Sequence, residues 1–166
     1  MEGAAFLIEY SYQYLIHVQM IEIRELNSDE LKKLLDLYAD LHADETPATE
    51  EQAKGSWDAL QDNAAIHTLG VFDGGELLSS CTLVIIPNLT RNCRPYGLIE
   101  NVVTRKDQRR KGLGKEVLKY ALDLAWDKNC YKVMLMTGRL DEETFRFYEK
   151  SGFDRDSKQA FIARRE

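Results

Sequence analysis

The sequence predicts an α+β sheet domain of mostly antiparallel hairpins with helices interspersed, and three observations point to it. Short β-rich runs alternate with segments whose apolar residues recur every three or four positions. Two of the runs, Ile66 to Phe72 and Glu76 to Ile86, are joined by Asp73-Gly74-Gly75, a hairpin signal. A strand-turn-helix unit from Gly97 to Leu124 carries a strongly basic turn in a chain of net charge −6.

The bulk properties bound the answer. A chain of 166 residues, 44% hydrophobic and 30% charged, suits one domain with a proper core. The negative balance argues against general affinity for nucleic acid or an anionic membrane. No run approaches the roughly 20 apolar residues of a membrane span, and the N-terminus lacks the basic-then-apolar pattern of a secretion signal. Cys81, Cys93 and Cys130 are widely spaced, without a metal-ligand pattern, which suits reduced thiols in a cytoplasmic protein. His17, His42 and His67 are equally scattered, so no metal site is expected.

Residues 1–19 read as an N-terminal extension of β propensity, through Phe6, Leu7, Ile8 and the alternating Tyr10, Tyr12 and Tyr14. An added strand and a homodimer contact are both open readings of it. The domain proper spans 20–166. Ile21 to Leu26 alternates as a first strand. Asn27-Ser28-Asp29 supplies caps for a helix with the face Leu31, Leu34, Leu35, Tyr38 and Leu41. The pattern breaks at Thr46-Pro47, and a second helix follows over Thr49 to Leu60, with Trp57 and Leu60 toward the core. Pro87 to Pro95 reads as loop.

Leu98 to Val103 is a buried strand that Arg105 to Lys111, too polar to stay inside, must end. From Leu113 the residues Val117, Leu118, Ala121, Leu122, Leu124 and Ala125 mark one buried helical face, so a helix starts at Gly112 and Gly114. The first amides of a helix lack internal partners and carry its positive pole, which favours phosphate. Arg109, Arg110, Lys111 and Lys115 add charge there. A nucleotide P-loop is excluded, because Arg109 stands at its first Gly and Glu116 at its Ser/Thr. The dinucleotide fingerprint fails at Val117, where a third Gly is required.

Further on, Tyr131 to Thr137 reads as a buried strand ended by Gly138 and Arg139. Asp141 to Glu143 opens a helix bearing Phe145, Phe147 and Tyr148, which Gly152 closes. A last strand is expected over Gln159 to Ala163.

Arg109-x-x-Gly112-x-Gly114 after a strand, with Phe147-Tyr148-Glu149-Lys150-Ser151-Gly152-Phe153 later on, resembles the GNAT superfamily of acetyl-CoA-dependent N-acetyltransferases, from about Ile66 to Phe161. The resemblance implies a mixed, mostly antiparallel twisted sheet flanked by helices and splayed centrally to hold CoA, acetyl-CoA as acetyl donor, no metal, and a small-molecule amine as acceptor. The backbone of Val102, Val103 and Thr104 would pair with the pantetheine arm. The pyrophosphate would rest on amides from Arg110 through Lys111, Gly112, Leu113 and Gly114 to Lys115, while Arg109 holds the loop or reaches a phosphate. Relatives often carry an Asn as a cofactor contact several residues before Tyr148; the positions here are Asp141 and Thr144, neither of them Asn, and Thr144 or Arg146 is open as the substitute.

Glu100 sits inside an apolar strand, two residues before Val102 and so expected on the same face. A carboxylate there is costly without a task or a partner. The resemblance offers two roles, base for the amine or orienter of the acceptor, and a structural hydrogen bond within the sheet is the alternative to both. Tyr148 matches the tyrosine that protonates or stabilises the departing thiolate in many relatives; an ordinary phenol near pKa 10 suits that acid. Tyr38, His42, Asp44, Glu45 and Trp57 are candidates for the acceptor wall, as are Asn88, Arg91, Asn92 and Arg94 in the loop. The Glu100-Asn101-Val102-Val103 strand and the region from Cys130 to Tyr148 are similar to glucosamine 6-phosphate N-acetyltransferases. That reading needs a cation for the phosphate, for which Arg139 and Arg94 are available. A polyamine, an aminoglycoside and a protein N-terminus stay open as acceptors, and a silent acyl-CoA-binding module stays open as an alternative to the enzyme.

Overall fold

The structure is a computed structural model that describes residues 21–41, 46 and 48–165. The expectations for residues 1–19, His42, Asp44 and Glu45 lie outside the described residues. Five strands form one sheet in the order β1-β2-β3-β4-β5: Ile21–Glu25, Ile66–Asp73, Glu76–Ile86, Tyr96–Thr104 and Val133–Leu135. The first four pair antiparallel and β5 lies parallel to β4. The helices are α1 (Leu31–Tyr38), α2 (Glu50–Gln61), α3 (Leu113–Asp127) and α4 (Glu142–Lys150).

Local chemistry accounts for these elements. Gly74 and Gly75, with φ of 55° and 85°, form the two-residue turn that sets Asp73 opposite Glu76. Thr49 caps α2 by accepting from the Gln52 amide at 3.3 Å, and the Gln52 side chain accepts from the Thr49 amide at 2.9 Å. α4 ends at Gly152, φ 97°, where the Phe153 N–H returns to the Tyr148 carbonyl at 3.1 Å.

Each face of the sheet carries its own core. On one, Leu69, Val71, Cys81, Leu83 and Ile99 pack against Val117, Leu118, Ala121 and Ala125 of α3, with Phe147, Tyr148 and Phe153 closing the edge. On the other, Leu26, Phe72, Leu77 and Val103 meet Leu34 and Leu37 of α1 and Trp57 of α2. Leu37 belongs to this core although the expected face named Leu35. Trp57 is 3% exposed and its indole N–H donates to the Ser28 carbonyl at 2.7 Å, so it is core and not acceptor wall.

Two expected strands are corrected. β5 is only three residues long, because it diverges from β4 beyond Ile99–Leu135 and finds no further ladder partner. The residues expected to form a last strand, Gln159 to Ala163, are coil; Phe161 is 91% exposed, so nothing in the described chain pairs with or covers them.

β4 also breaks the simple alternation. Asn101 adopts φ 54°, and the β3–β4 register shifts between Ser80 and Thr82. Ile99 and Val102 therefore pack on the α3 face, while Val103 turns into the opposite core. Glu100, next to Ile99 and paired with Thr82, stands on the α1 face. Its expected shared face with Val102 is thus overturned by the bulge.

Candidate active site

Where β4 and β5 part, a cavity of about 1020 Å³ opens, walled by Ile99 to Thr104 on one side and Met136 to Arg139 on the other. The turn after β4 and the inner side of α4 complete it. Val102, Val103, Thr104, Arg109, Arg110, Gly112, Leu113, Gly114, Lys115 and Thr144 all line this space, together with Glu100 and Tyr148. Lys111 does not; its ammonium donates to the Gln108 side chain at 2.7 Å.

The two motif glycines serve different ends. Gly112 precedes α3 with φ 88°, a conformation that side chains resist, and a Cβ there would meet nothing within 4 Å. The helix start is accordingly bare: no side chain caps it. At Gly114 a Cβ would lie 3.1 Å from both the Phe147 ring and the Thr104 hydroxyl, so this glycine lets α3 approach β4 and α4 closely. Open space over uncapped amides at a positive pole fits a phosphate group.

Arg109 holds the loop. Its Nε donates to the Thr104 carbonyl and its Nη2 to the Asp40 carbonyl, both at 3.1 Å. Arg110 is exposed and faces Glu143 at 3.5 Å, across the mouth of the cleft. Thr144 is half-buried; its amide and hydroxyl both donate to Asp141, the cap of α4, at 2.8 and 3.0 Å. The Asp141 carboxyl is held below its usual range by those bonds.

At the inner end, burial raises the Tyr148 phenol above its usual value, with Arg139 pulling it down and Glu100 pushing it up. Tyr38 reaches the same neighbourhood from α1. Its phenol is also raised by burial, against the polar influence of Thr82 and Asn101 beside it. Cys81 is fully buried and its thiol is pushed up to about 12, which leaves no thiolate for covalent chemistry.

The loop over Pro87 to Pro95 does not join this cavity. The Asn88 amide group organises it through the Thr90 and Arg94 carbonyls, Arg91 stands 5.9 Å over the Tyr131 ring, and Arg94 donates to the carbonyls of Asn129 and Cys130. Asn88, Arg91, Asn92 and Arg94 therefore do not line this cavity. Arg139 remains as a cation within the cavity. Asp40, Leu41 and Met136 line it without having been expected, brought there by the packing of α1 and the shortness of β5, and Gln108 joins them from the basic turn beside Arg109.

Among the described residues no group of His, Cys, Asp and Glu side chains is placed to hold a metal ion, and no helix is long and apolar enough to cross a membrane. His67 is buried in β2, with Nδ1 2.7 Å from the Glu25 carboxylate.

Comparison with known proteins agrees with this geometry. Residues 29–153 match the model of the Acetyltransferase (GNAT) family. A curated glucosamine 6-phosphate N-acetyltransferase of Trypanosoma brucei brucei is 32% identical over 142 residues, covering 84% of this chain and 92% of the relative. A solved chain from Agrobacterium tumefaciens str. C58 superposes with a TM-score of 0.84 at 37% identity, covering 87% of this chain and 99% of that one. The glucosamine-6-phosphate N-acetyltransferase of Arabidopsis thaliana does so at 0.75 with 26% identity, covering 87% and 99%. The chain belongs to the acetyltransferase (GNAT) family and is an N-acetyltransferase.

Proposed function

We propose that this enzyme acetylates the amine of glucosamine 6-phosphate, with acetyl-CoA as donor and no acyl-enzyme. One observation carries the mechanism: Glu100 and Tyr148 line the same cavity as the bare α3 start, in the gap where β4 and β5 separate. The acceptor rests on the names of two relatives, in Trypanosoma brucei brucei and Arabidopsis thaliana, that span most of this chain.

The amides from Gly112 to Gly114 and the Lys115 side chain would hold the pyrophosphate, and the backbone of Val102 to Thr104 would pair with the pantetheine arm. Bound acetyl-CoA supplies an acetyl thioester. Glu100, on the α1 face, accepts a proton from the acceptor ammonium, directly or through water, so that a neutral amine is presented. Tyr148, kept protonated by burial, holds a proton for the departing sulfur. Arg139 supplies the positive charge that a sugar phosphate requires. No nucleophilic side chain enters this scheme, in keeping with the buried, protonated Cys81. A cytoplasmic setting suits three free cysteines, and a homodimer belongs to the same proposal.

Release of free CoA thiol tests the reading. Saturable release with glucosamine 6-phosphate, at least about tenfold more efficient than with glucosamine, is expected if a cation recognises the phosphate. Tyr148→Phe should lower kcat about a hundredfold while sparing CoA affinity. Turnover with polyamines or aminoglycosides and none with the sugar phosphate would overturn the acceptor. CoA binding without turnover on any amine would favour the non-catalytic module.

A further inference from the structure

We propose that Asp40, two residues beyond the end of α1, is a positioning residue for the donor-binding turn. It lies far from the Arg109-to-Gly114 motif in sequence and grips the turn at two places. Its Oδ2 accepts from the Lys106 N–H at 2.8 Å, and Oδ1 stands 3.4 Å from the Lys106 ammonium. Its backbone carbonyl accepts from Arg109 Nη2 at 3.1 Å. Arg109 is bound at the same time to the Thr104 carbonyl, so one guanidinium ties together the end of β4, the turn and the end of α1.

These contacts differ from ordinary surface pairs. The Asp40 side chain is only 24% exposed, and it hangs on a helix anchored in the core through Leu34 and Leu37. A charge-assisted bond to a backbone amide, made from a fixed element, restricts the turn more than a flexible surface pair does. The turn's outer side is braced separately, by Arg105 with Asp107 and Glu76. Without the inner brace, Gly112 and the residues before it would have to be ordered when the phosphate binds, and that cost would appear as lost affinity.

Asp40 itself carries a negative charge and lines the same cavity as the turn. A direct phosphate contact is therefore the wrong role for it, and removing it would strengthen anion binding if only long-range charge mattered. The two accounts predict opposite signs. Asp40→Ala should weaken binding under the positioning account and tighten it under the charge account.

The proposal rests on the reading of this turn as the CoA pyrophosphate site, and the experiment separates the two. CoA binding is measured by titration calorimetry for wild type, Asp40→Ala and Asp40→Asn, together with KM for acetyl-CoA and kcat. Asp40→Ala should raise Kd about tenfold, and KM for acetyl-CoA more than it lowers kcat. Asp40→Asn keeps an oxygen for the Lys106 amide and should recover part of the loss, to about threefold. If Asp40→Ala fails to fold, Asp40→Asn still gives the sign. Unchanged or tighter CoA binding in either folded variant overturns the proposal, as does a loss confined to kcat. Failure of the wild type to bind CoA would remove the donor reading, and this proposal with it.

Discussion

At the start of the segment leading into α1 a carboxylate of the chain binds the backbone, whereas at the start of α3 no side chain caps it, Glu116 in its first turn included. Glu30 accepts from the Asn27 N–H at 2.9 Å and from Arg24 at 2.7 Å, with Lys33 at 3.0 Å beside it. Its carboxyl is held at about 2, chiefly by the Arg24 bond, and the Arg24 guanidinium lies 3.8 Å over the Phe72 ring. Before α3 stands a left-handed glycine with no side chain, flanked by Arg110 and Lys115. α2 and α4 follow the self-satisfied pattern, with Thr49 and Asp141 as caps. A closed start is structure, and an open start beside a large cavity leaves its positive pole for a ligand.

The contrast can be broken from either side. Gly112→Asp places a carboxylate where phosphate should sit and forces a side chain into the left-handed region; CoA affinity should fall about fiftyfold, or about 2 kcal/mol, by calorimetry. Glu30→Gln removes the anion at the other start, while its side-chain oxygen can still accept from the Asn27 N–H. It leaves Arg24 poorly compensated and should cost about 2 kcal/mol of stability in a urea titration, with CoA affinity unchanged in the folded protein.

The same carboxylate sets a pH dependence. The folded value of Glu30 is depressed, so its contribution is fully present above about 4.5 and is lost as pH falls toward about 2. Acid unfolding should therefore steepen below about pH 4.5, and Glu30→Gln should remove that part of the slope. Lys115→Gln, at the open start, alters an exposed charge and should weaken CoA only about threefold, with the difference fading at high salt.

Much of this is legible in the sequence. The Gly74-Gly75 hairpin, the α3 face and both motif glycines follow from local chemistry, since φ above zero and a regular apolar stripe leave marks in composition. Asn101 left almost none. Its bulge turns Val102 to the α3 face, away from Glu100, and Val103 into the second core, and an asparagine's tolerance of the left-handed region is the one residue-level hint. β5 is short because of where its neighbour goes, which its apolar run from Val133 to Leu135 cannot express. The basic loop around Arg91 and Arg94 shows the converse: its composition resembles that of the donor turn, yet Arg94 is spent on the carbonyls after α3. Asp40 was invisible for the same reason, because its partners lie 66 and 69 residues away.

Amide hydrogen exchange with and without CoA tests the central claim most directly, because it reads each helix start separately. CoA-dependent protection is expected at Arg110 to Lys115 and at Val102 to Thr104, with none at Asn27 to Glu30 or Asn88 to Arg94. Protection centred on the Asn88 to Arg94 loop, or CoA binding that leaves the α3 start unprotected, would contradict it.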